Sequence, residues 1–257
     1  MEREGRGKKI LWQEMWRHEL EEACKQDPVV IVPVGSIEQH GPHCPLDVDI
    51  SVPYAAATKV AEEVDEFTVL VAPPVWWGLS HYNQGFIGTI TLRLETQIEL
   101  LSDICRSIYA CGFKRIILLN GHGGNQAPIV AIATKISEEN IFVVPITYWN
   151  LVPQELRQIA EDDVSIGHGG ELETSLMLYL RPHLVDSRRI ADEPMGARPK
   201  LFGPERRQET RTGVSGMASL ATADKGERLF NAVVGKLTTL VREYHAAEVK
   251  DYWHRER

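Results

Sequence analysis

The sequence lacks the features that direct a protein into or across a membrane. Its amino terminus, MEREGRGKK followed by LWQEMW, has no apolar core of the length that a signal peptide needs. No apolar run approaches the length of a bilayer-spanning helix. We therefore expect a cytoplasmic protein with no membrane partner.

Cysteine and positive charge are also scarce. The four cysteines form no CxxC pair and are too few for a disulfide scaffold, which fits a reducing compartment. The formal net charge is -8, whereas nonspecific binding to nucleic acid or to an anionic membrane requires a basic face. A small neutral or cationic substrate fits this composition better, and we expect no nucleic-acid partner.

What the sequence does contain is an alternation of strand and helix patterns. Apolar runs predict strands at 29–32, 67–75, 116–119 and 142–147, with a shorter one at 89–92. Helical periodicity predicts helices at 10–26, 52–65, 95–109, 126–138, within 165–180 and at 226–247. This alternation predicts an α/β fold, with a mostly parallel sheet covered on both faces. Residues 186–226 are interpreted as a long surface excursion of a single domain that spans 1–257.

Ligand-type side chains concentrate where the first strand ends, in VVIVPVGSIEQHGPHCPLDVD. Glu38 and His40 are two residues apart, so in extended backbone both could reach one ion. Asp49 has two carboxylate oxygens and could bridge a pair of ions. A polar turn that only caps the strand would explain the glycines and prolines but not this Glu-x-His and Asp. Cys44 in the same loop could be a thiolate ligand, although a buried apolar role is more common.

Two glycine-rich turns offer further ligands. NGHGGN at 120–125 could cradle a phosphate with its backbone, but it lacks the Lys-Ser/Thr of a P-loop. A metal-ligating His122 is the preferred interpretation. HGGELE at 168–173 could be a glycine hinge whose Glu171 and Glu173 complement a helix dipole. Beside the other two loops, Glu171 instead offers a further carboxylate and His168 a further imidazole.

An aromatic cluster lies on the loop between the second and third long strands. We interpret four of its side chains as substrate-binding residues, with core packing as the alternative: Trp76, Trp77, His81 and Tyr82.

The strings GSIEQHGPHCPLDVD, NGHGGN, HGGELETS and TGVSGMASLATADKG, in this order, resemble the creatininase (creatinine amidohydrolase) family from about residue 29 to about residue 240. The resemblance implies a three-layer α/β/α fold, two zinc or manganese ions per subunit and a homohexamer. By motif position it implies metal ligands at four residues, with Asp49 as the bridge: Glu38, His40, Asp49 and His122. Creatininase carries a glutamate where this chain has Gly124, so we expect Glu171 to complete the second metal site.

These observations predict a metal-dependent hydrolase of a small cyclic or planar amide-like substrate. His168 is predicted to be the general acid that protonates the leaving nitrogen, and Glu171 is also placed in the catalytic set. The family resemblance leaves other substrates open, including formamidopyrimidines, peptides and oxidised inositols. A noncatalytic metal- or ligand-binding protein and a phosphate-binding enzyme remain as alternatives from other classes.

Overall fold

A parallel sheet organises the computed structural model, which describes residues 8–162, 166–194 and 209–248. The strands are β1 Val29–Val34, β2 Val69–Val71, β3 Arg115–Asn120 and β4 Val143–Thr147. Their order is β2-β1-β3-β4, and all three pairings are parallel. The apolar runs that form β1 and β3 are buried along their whole length, as expected for strands covered on both faces.

Helices cover both faces of this sheet. They are α1 Arg17–Cys24, α2 Val48–Glu63, α3 Leu94–Ala110, α4 Gln126–Ser137, α5 Pro153–Ile159, α6 Glu171–Leu180 and α7 Ala223–Ala246. Alternate residues of β1 and β3 contribute to two separate apolar clusters, one with α2, α6 and α7 and the other with α3 and α4. The predicted three-layer α/β/α fold is confirmed. Among the described residues, no helix combines the length and hydropathy needed to cross a bilayer.

Several predicted elements have different limits in the structure. The predicted helix at 10–26 is a 3-10 turn, Trp12–Glu14, followed by the shorter α1, because Leu11 forms a bridge with Val71 at the edge of the sheet. The predicted strand at 67–75 is reduced to β2. The predicted strand at 89–92 contributes only isolated bridges, from Ile90 and Thr91.

A short ribbon joins two remote parts of the chain beside the sheet. Strand β5, Asp192–Glu193, pairs antiparallel with β6, Gly216–Met217. Ser215 also forms an antiparallel bridge with His168. The segment before α7 is therefore packed against the turn that precedes α6. Part of the predicted surface excursion, residues 195–208, lies outside the described residues.

Candidate metal centre

Six acidic and imidazole side chains meet beyond the carboxyl ends of β1 and β3. These strands are adjacent and parallel, so the loops that follow them emerge side by side. The first turn of α2 and the start of α6 face the same space. The six side chains are all buried: Glu38, His40, Asp49, His122, His168 and Glu173.

A close approach of two elements brings Asp49 to His122. Gly121 lies against the first turn of α2, where a Cβ would overlap the carbonyl oxygen of Asp49 and come within 2.8 Å of Pro53 Cδ. Pro53 has no N–H, so it cannot give that carbonyl its usual helical hydrogen bond. A glycine at position 121 therefore allows the end of β3 to pack directly on α2. The helix begins at Val48, before the predicted start at 52, and this puts Asp49 on its first turn.

Asp49 lies between two of the imidazoles. Its Oδ1 is 3.2 Å from Nε2 of His40, and its Oδ2 is 2.9 Å from Nδ1 of His122. Oδ2 is buried and makes no hydrogen bond despite that short distance. One carboxylate oxygen therefore faces each imidazole, the arrangement that a shared ligand of two cations requires.

Glu38 occupies the other side of the cluster. Its Oε1 is 3.4 Å from Nδ1 of His122 and 3.4 Å from Nδ1 of His168. Its Oε2 accepts a hydrogen bond from the hydroxyl of Ser80. The rings of His168 and His40 stack with centroids 4.4 Å apart. His168 therefore lies within the cluster, at the edge formed by Glu38 and His40.

Backbone carbonyls orient all three imidazoles. Nδ1 of His40 donates to the carbonyl oxygen of Glu38 at 3.2 Å, and Nε2 of His168 donates to that of Gln39 at 2.7 Å. Nε2 of His122 donates to the carbonyl oxygen of Leu79 at 2.9 Å. A carbonyl can only accept, so the other nitrogen of each neutral ring turns a lone pair towards the carboxylates. Metal-ligating histidines are typically fixed in this way.

The charges in the cluster favour a cation. Within the described ranges, every ion pair of Glu38, Asp49 and Glu173 is with a histidine. Burial opposes protonation of His40, but the carboxylates of Asp49 and Glu173 outweigh it and raise the pKa of His40 to about 9. Burial likewise opposes protonation of His122, yet the nearby Glu38 and Asp49 hold its pKa well above the ordinary value. Protons and divalent cations would therefore compete for the same buried negative charge.

The structure corrects the choice between two glutamates at the start of α6. The carboxylate of Glu171 accepts from the backbone amide of Asp162 at 2.8 Å and pairs with Nζ of Lys225 at 2.6 Å. It lies outside the cluster. Glu173 lies inside it, with Oε2 3.7 Å from Nε2 of His40. Burial raises the pKa of Glu173, and His40 opposes this rise only in part. Glu173 therefore replaces Glu171 as the candidate ligand.

Three groups in the cluster could each hold an ion with oxygen and nitrogen donors. In each group the ligand atoms lie within 4.8 Å of one another: Glu38–Asp49–His122, His40–Asp49–Glu173 and Glu38–His40–His168. The first two groups share Asp49. Carboxylate and imidazole donors suit zinc or manganese. The residues present thus fit a metal centre, and the orphaned oxygen of Asp49 and the oriented imidazoles support this.

The four predicted substrate residues differ in their surroundings. Tyr82 reaches the cluster, with its hydroxyl 3.2 Å from Nε2 of His122. His81 lines a cavity of about 490 Å³ next to Leu79. Trp76 and Trp77 are 40% and 46% exposed, so they are not core residues.

Other polar residues of the first loop have structural partners. Nε2 of His43 lies 3.1 Å from the carbonyl oxygen of Gly169, and Asp47 pairs with Arg181. Burial raises the pKa of Cys44 to about 12, and Cys44 belongs to none of the candidate metal groups found among the described residues. Ser80 and Leu79 were not predicted from the sequence. The aromatic cluster indicated that this loop binds substrate, but no pattern marked these two residues.

Comparison with known proteins agrees with this geometry. Residues 13–241 match the sequence profile of the creatininase family, described as creatinine amidohydrolase. Creatinine amidohydrolase of Pseudomonas putida is 31% identical over 247 residues, which is 89% of this chain and 94% of that protein. A mycofactocin precursor peptide peptidase of Mycobacterium tuberculosis is 33% identical over 220 residues, 80% of this chain and 82% of that protein. A 3-dehydro-scyllo-inosose hydrolase of Thermotoga maritima is 29% identical over 262 residues, 91% of this chain and 83% of that protein.

Solved structures give the same result at the level of the fold. A crystal structure of creatinine amidohydrolase superimposes with a TM-score of 0.86 and 29% identity, covering 94% of this chain and 100% of that one. A mutant creatininase of the Zn-Zn type gives 0.85 and 31%, with 94% and 100% covered. A manganese creatininase gives 0.83 and 30%, with 93% and 100% covered. The profile match, the relatives and the fold together show that this chain belongs to the creatininase family of hydrolases.

Proposed function

We propose that the chain is a metal-dependent hydrolase of small cyclic or planar amide-like compounds, with a binuclear centre in the buried cluster. The observation that carries the proposal is the position of Asp49, whose two oxygens face His40 and His122 in two candidate ion groups. One ion would be held by Glu38, Asp49 and His122. The other would be held by His40, Asp49 and Glu173. The zinc and manganese creatininases among the similar structures support either metal.

When bound, two such ions would polarise the scissile carbonyl and lower the pKa of the attacking water. Hydrolysis forms a carbon–oxygen bond with this water and breaks the carbon–nitrogen bond, whose nitrogen must gain a proton. We assign that transfer to Nδ1 of His168, which faces the cluster because Nε2 donates to the carbonyl oxygen of Gln39. Nδ1 would take a proton from the attacking water and then, as general acid, pass it to the leaving nitrogen. The hydroxyl of Tyr82, beside His122, would contact the substrate.

The glycine at position 124 distinguishes this chain from creatininase. At Gly124, where creatininase carries a glutamate, a Cβ would overlap the carbonyl oxygen of Leu79 and lie 2.6 Å from Nε2 of His122. The close backbone leaves no room for a side chain there, and this supports Glu173 as the replacement ligand. Creatinine itself is therefore one candidate substrate among several. From the family resemblance we also propose that the chain assembles as a homohexamer.

Metal analysis and turnover test the proposal together. The protein purified without chelator should contain about two zinc or manganese ions per chain, as two-metal hydrolases do. It should also hydrolyse at least one of creatinine, a formamidopyrimidine, a short peptide and an oxidised inositol. A protein that neither contains these ions nor binds them when they are added would contradict the metal centre.

The His168→Ala variant separates an enzyme from a noncatalytic metal-binding protein. We expect it to retain both ions and the fold while kcat falls by about 10²–10⁴-fold, the usual contribution of a general acid. The matched control is Glu171→Gln, which alters a buried polar side chain of the same segment outside the cluster. Loss of one ion from His168→Ala would make His168 a ligand, and unchanged turnover would remove its catalytic role.

A further inference from the structure

The backbone of Leu79 connects the metal cluster to the buried amide side chain of Asn125, which has no part in the proposed chemistry. Its carbonyl oxygen accepts from Nε2 of His122 at 2.9 Å, and its N–H donates to Oδ1 of Asn125 at 3.0 Å. Leu79 belongs to a loop, whereas Asn125 directly precedes α4. The position of this carbonyl is therefore fixed through Asn125.

Asn125 ties the loop to two rigid elements. Its Nδ2 donates to the carbonyl oxygen of Gly35, at the end of β1, at 2.9 Å. Its Oδ1 accepts a second hydrogen bond, at 2.6 Å, from Nε2 of Gln97 in α3. Both amide side chains are fully buried, so water does not replace these hydrogen bonds when one is lost.

The surrounding backbone is packed so closely that the loop has little freedom. A Cβ on Gly78 would lie 2.5 Å from the carbonyl oxygen of Gly35 and 2.6 Å from Oδ1 of Asn125. The overlap already noted between Gly124 and Leu79 closes the other side. Two glycines without room for a side chain thus flank the one carbonyl that orients His122.

This carbonyl decides which nitrogen of His122 can bind a cation. Because Nε2 donates to Leu79, the lone pair of the neutral ring is on Nδ1, which faces Oδ2 of Asp49 at 2.9 Å. If Leu79 shifted, His122 would lose the closer of the two partners of Nε2, leaving the Tyr82 hydroxyl at 3.2 Å, and its tautomer and ring orientation would be less firmly held. Partners of this kind typically change metal affinity by about 10–100-fold when they are removed.

We propose that Asn125 is a positioning residue of the metal centre, which holds the Leu79 peptide so that His122 presents Nδ1 to a cation, with Gln97 supporting Asn125 from α3. The inference rests on the proposed metal centre. It predicts that Asn125 affects the affinity for the ion held with His122 and not the affinity for the ion held with His40.

The test is a chelator titration of the metal-loaded protein, in which the two ions are removed stepwise with a chromophoric chelator. The chelator concentrations at which the wild type releases its two ions are the reference for the variants. Asn125→Ala should release one ion about 10–100-fold more easily and keep the affinity of the other. Gln97→Leu, which leaves the Asn125–Leu79 hydrogen bond in place, should weaken the same ion by a smaller factor and covers the case in which Asn125→Ala does not fold.

Arg115→Met is the matched control. Arg115 is buried at the amino end of the strand that leads to His122, where it donates to the carbonyl oxygens of Tyr244 and Ala247. This variant should lose stability without a change in either metal affinity. If Asn125→Ala folds and releases both ions at the same chelator concentrations as the wild type, the inference is overturned. If Asn125→Ala does not fold, the same result for folded Gln97→Leu overturns it. An equal loss in Arg115→Met would also overturn it. A wild-type protein that binds fewer than two ions would instead contradict the binuclear centre itself.

Discussion

The two glutamates at the start of α6 point in opposite directions although they are only two residues apart. Each residue of an α-helix turns by about 100°, so positions 171 and 173 differ by about 200° around the axis. Glu173 therefore faces His40, and Glu171 faces Lys225. The sequence showed that a carboxylate was available after the double glycine. It did not show the rotation of the helix, because packing against α7 fixes that rotation.

A pair of conservative variants tests this assignment. Glu173→Gln removes a charged oxygen donor from the cluster, so we expect metal content to fall towards one ion per chain. Glu171→Gln should keep both ions and lower the free energy of unfolding by about 1–3 kcal/mol, because a buried hydrogen bond to the charged Lys225 is weakened. Elemental analysis and denaturant unfolding measure the two effects. Loss of an ion from Glu171→Gln, with full occupancy in Glu173→Gln, would restore Glu171 as the ligand.

At the scale of elements, the contact between the end of β3 and the first turn of α2 builds the centre. It joins Asp49 to His122, and it depends on the absence of a side chain at Gly121. A Cβ on Gly123, two residues later, would meet no atom within 4 Å, so open space surrounds that position. The same turn thus contains one glycine that is required by packing and one that is not.

This difference predicts opposite outcomes for two alanine substitutions. Gly121→Ala should separate β3 from α2 and cost about 1–3 kcal/mol of stability, the usual effect of overpacking. It should also weaken metal binding, because Asp49 and His122 move apart. Gly123→Ala should change neither property appreciably. Thermal unfolding and metal titration of both variants provide the comparison, and equal behaviour of the two would show that the contact does not determine the site.

The sequence predicted the central strands and the proximity of four candidate ligands because the signals for them are local. The runs at 29–32 and 116–119 lie within β1 and β3, and Glu38, His40, Asp49 and His122 come together as expected. Contacts between segments that are distant in the sequence determined the features that were not predicted correctly. Pairing of Leu11 with the sheet shortened the first helix, and Lys225 drew Glu171 away from the cluster. Neither effect has a signature within a short window of sequence.

For the whole molecule, the centre is a cross-link between segments that are distant in the chain. Residues after β1, on α2, after β3 and on α6 all contribute to it. A cation bound there stabilises the folded state, because the unfolded chain does not hold these side chains together. At a metal concentration of about 100–1,000 times Kd the gain is about 2.7–4.1 kcal/mol. For a chain of this size, a Tm rise of about 5–16 °C corresponds to that gain.

The Tm rise should depend on pH, because protons and cations compete for the same residues. In the folded chain the pKa of His40 is raised to about 9, so protonated His40 stabilises the metal-free fold. This contribution is fully present at a pH below the pKa of His40 in the unfolded chain, and it is lost as the pH rises through about 9. A cation requires the neutral imidazole, so its affinity increases over the same interval, by about tenfold per pH unit for each proton displaced. We therefore expect manganese to raise Tm more at about pH 8.5 than at about pH 6.5, the ordinary pKa of histidine. The control is His40→Ala, in which the dependence should be shallower. A Tm rise that is equal or smaller at the higher pH would contradict competition at His40.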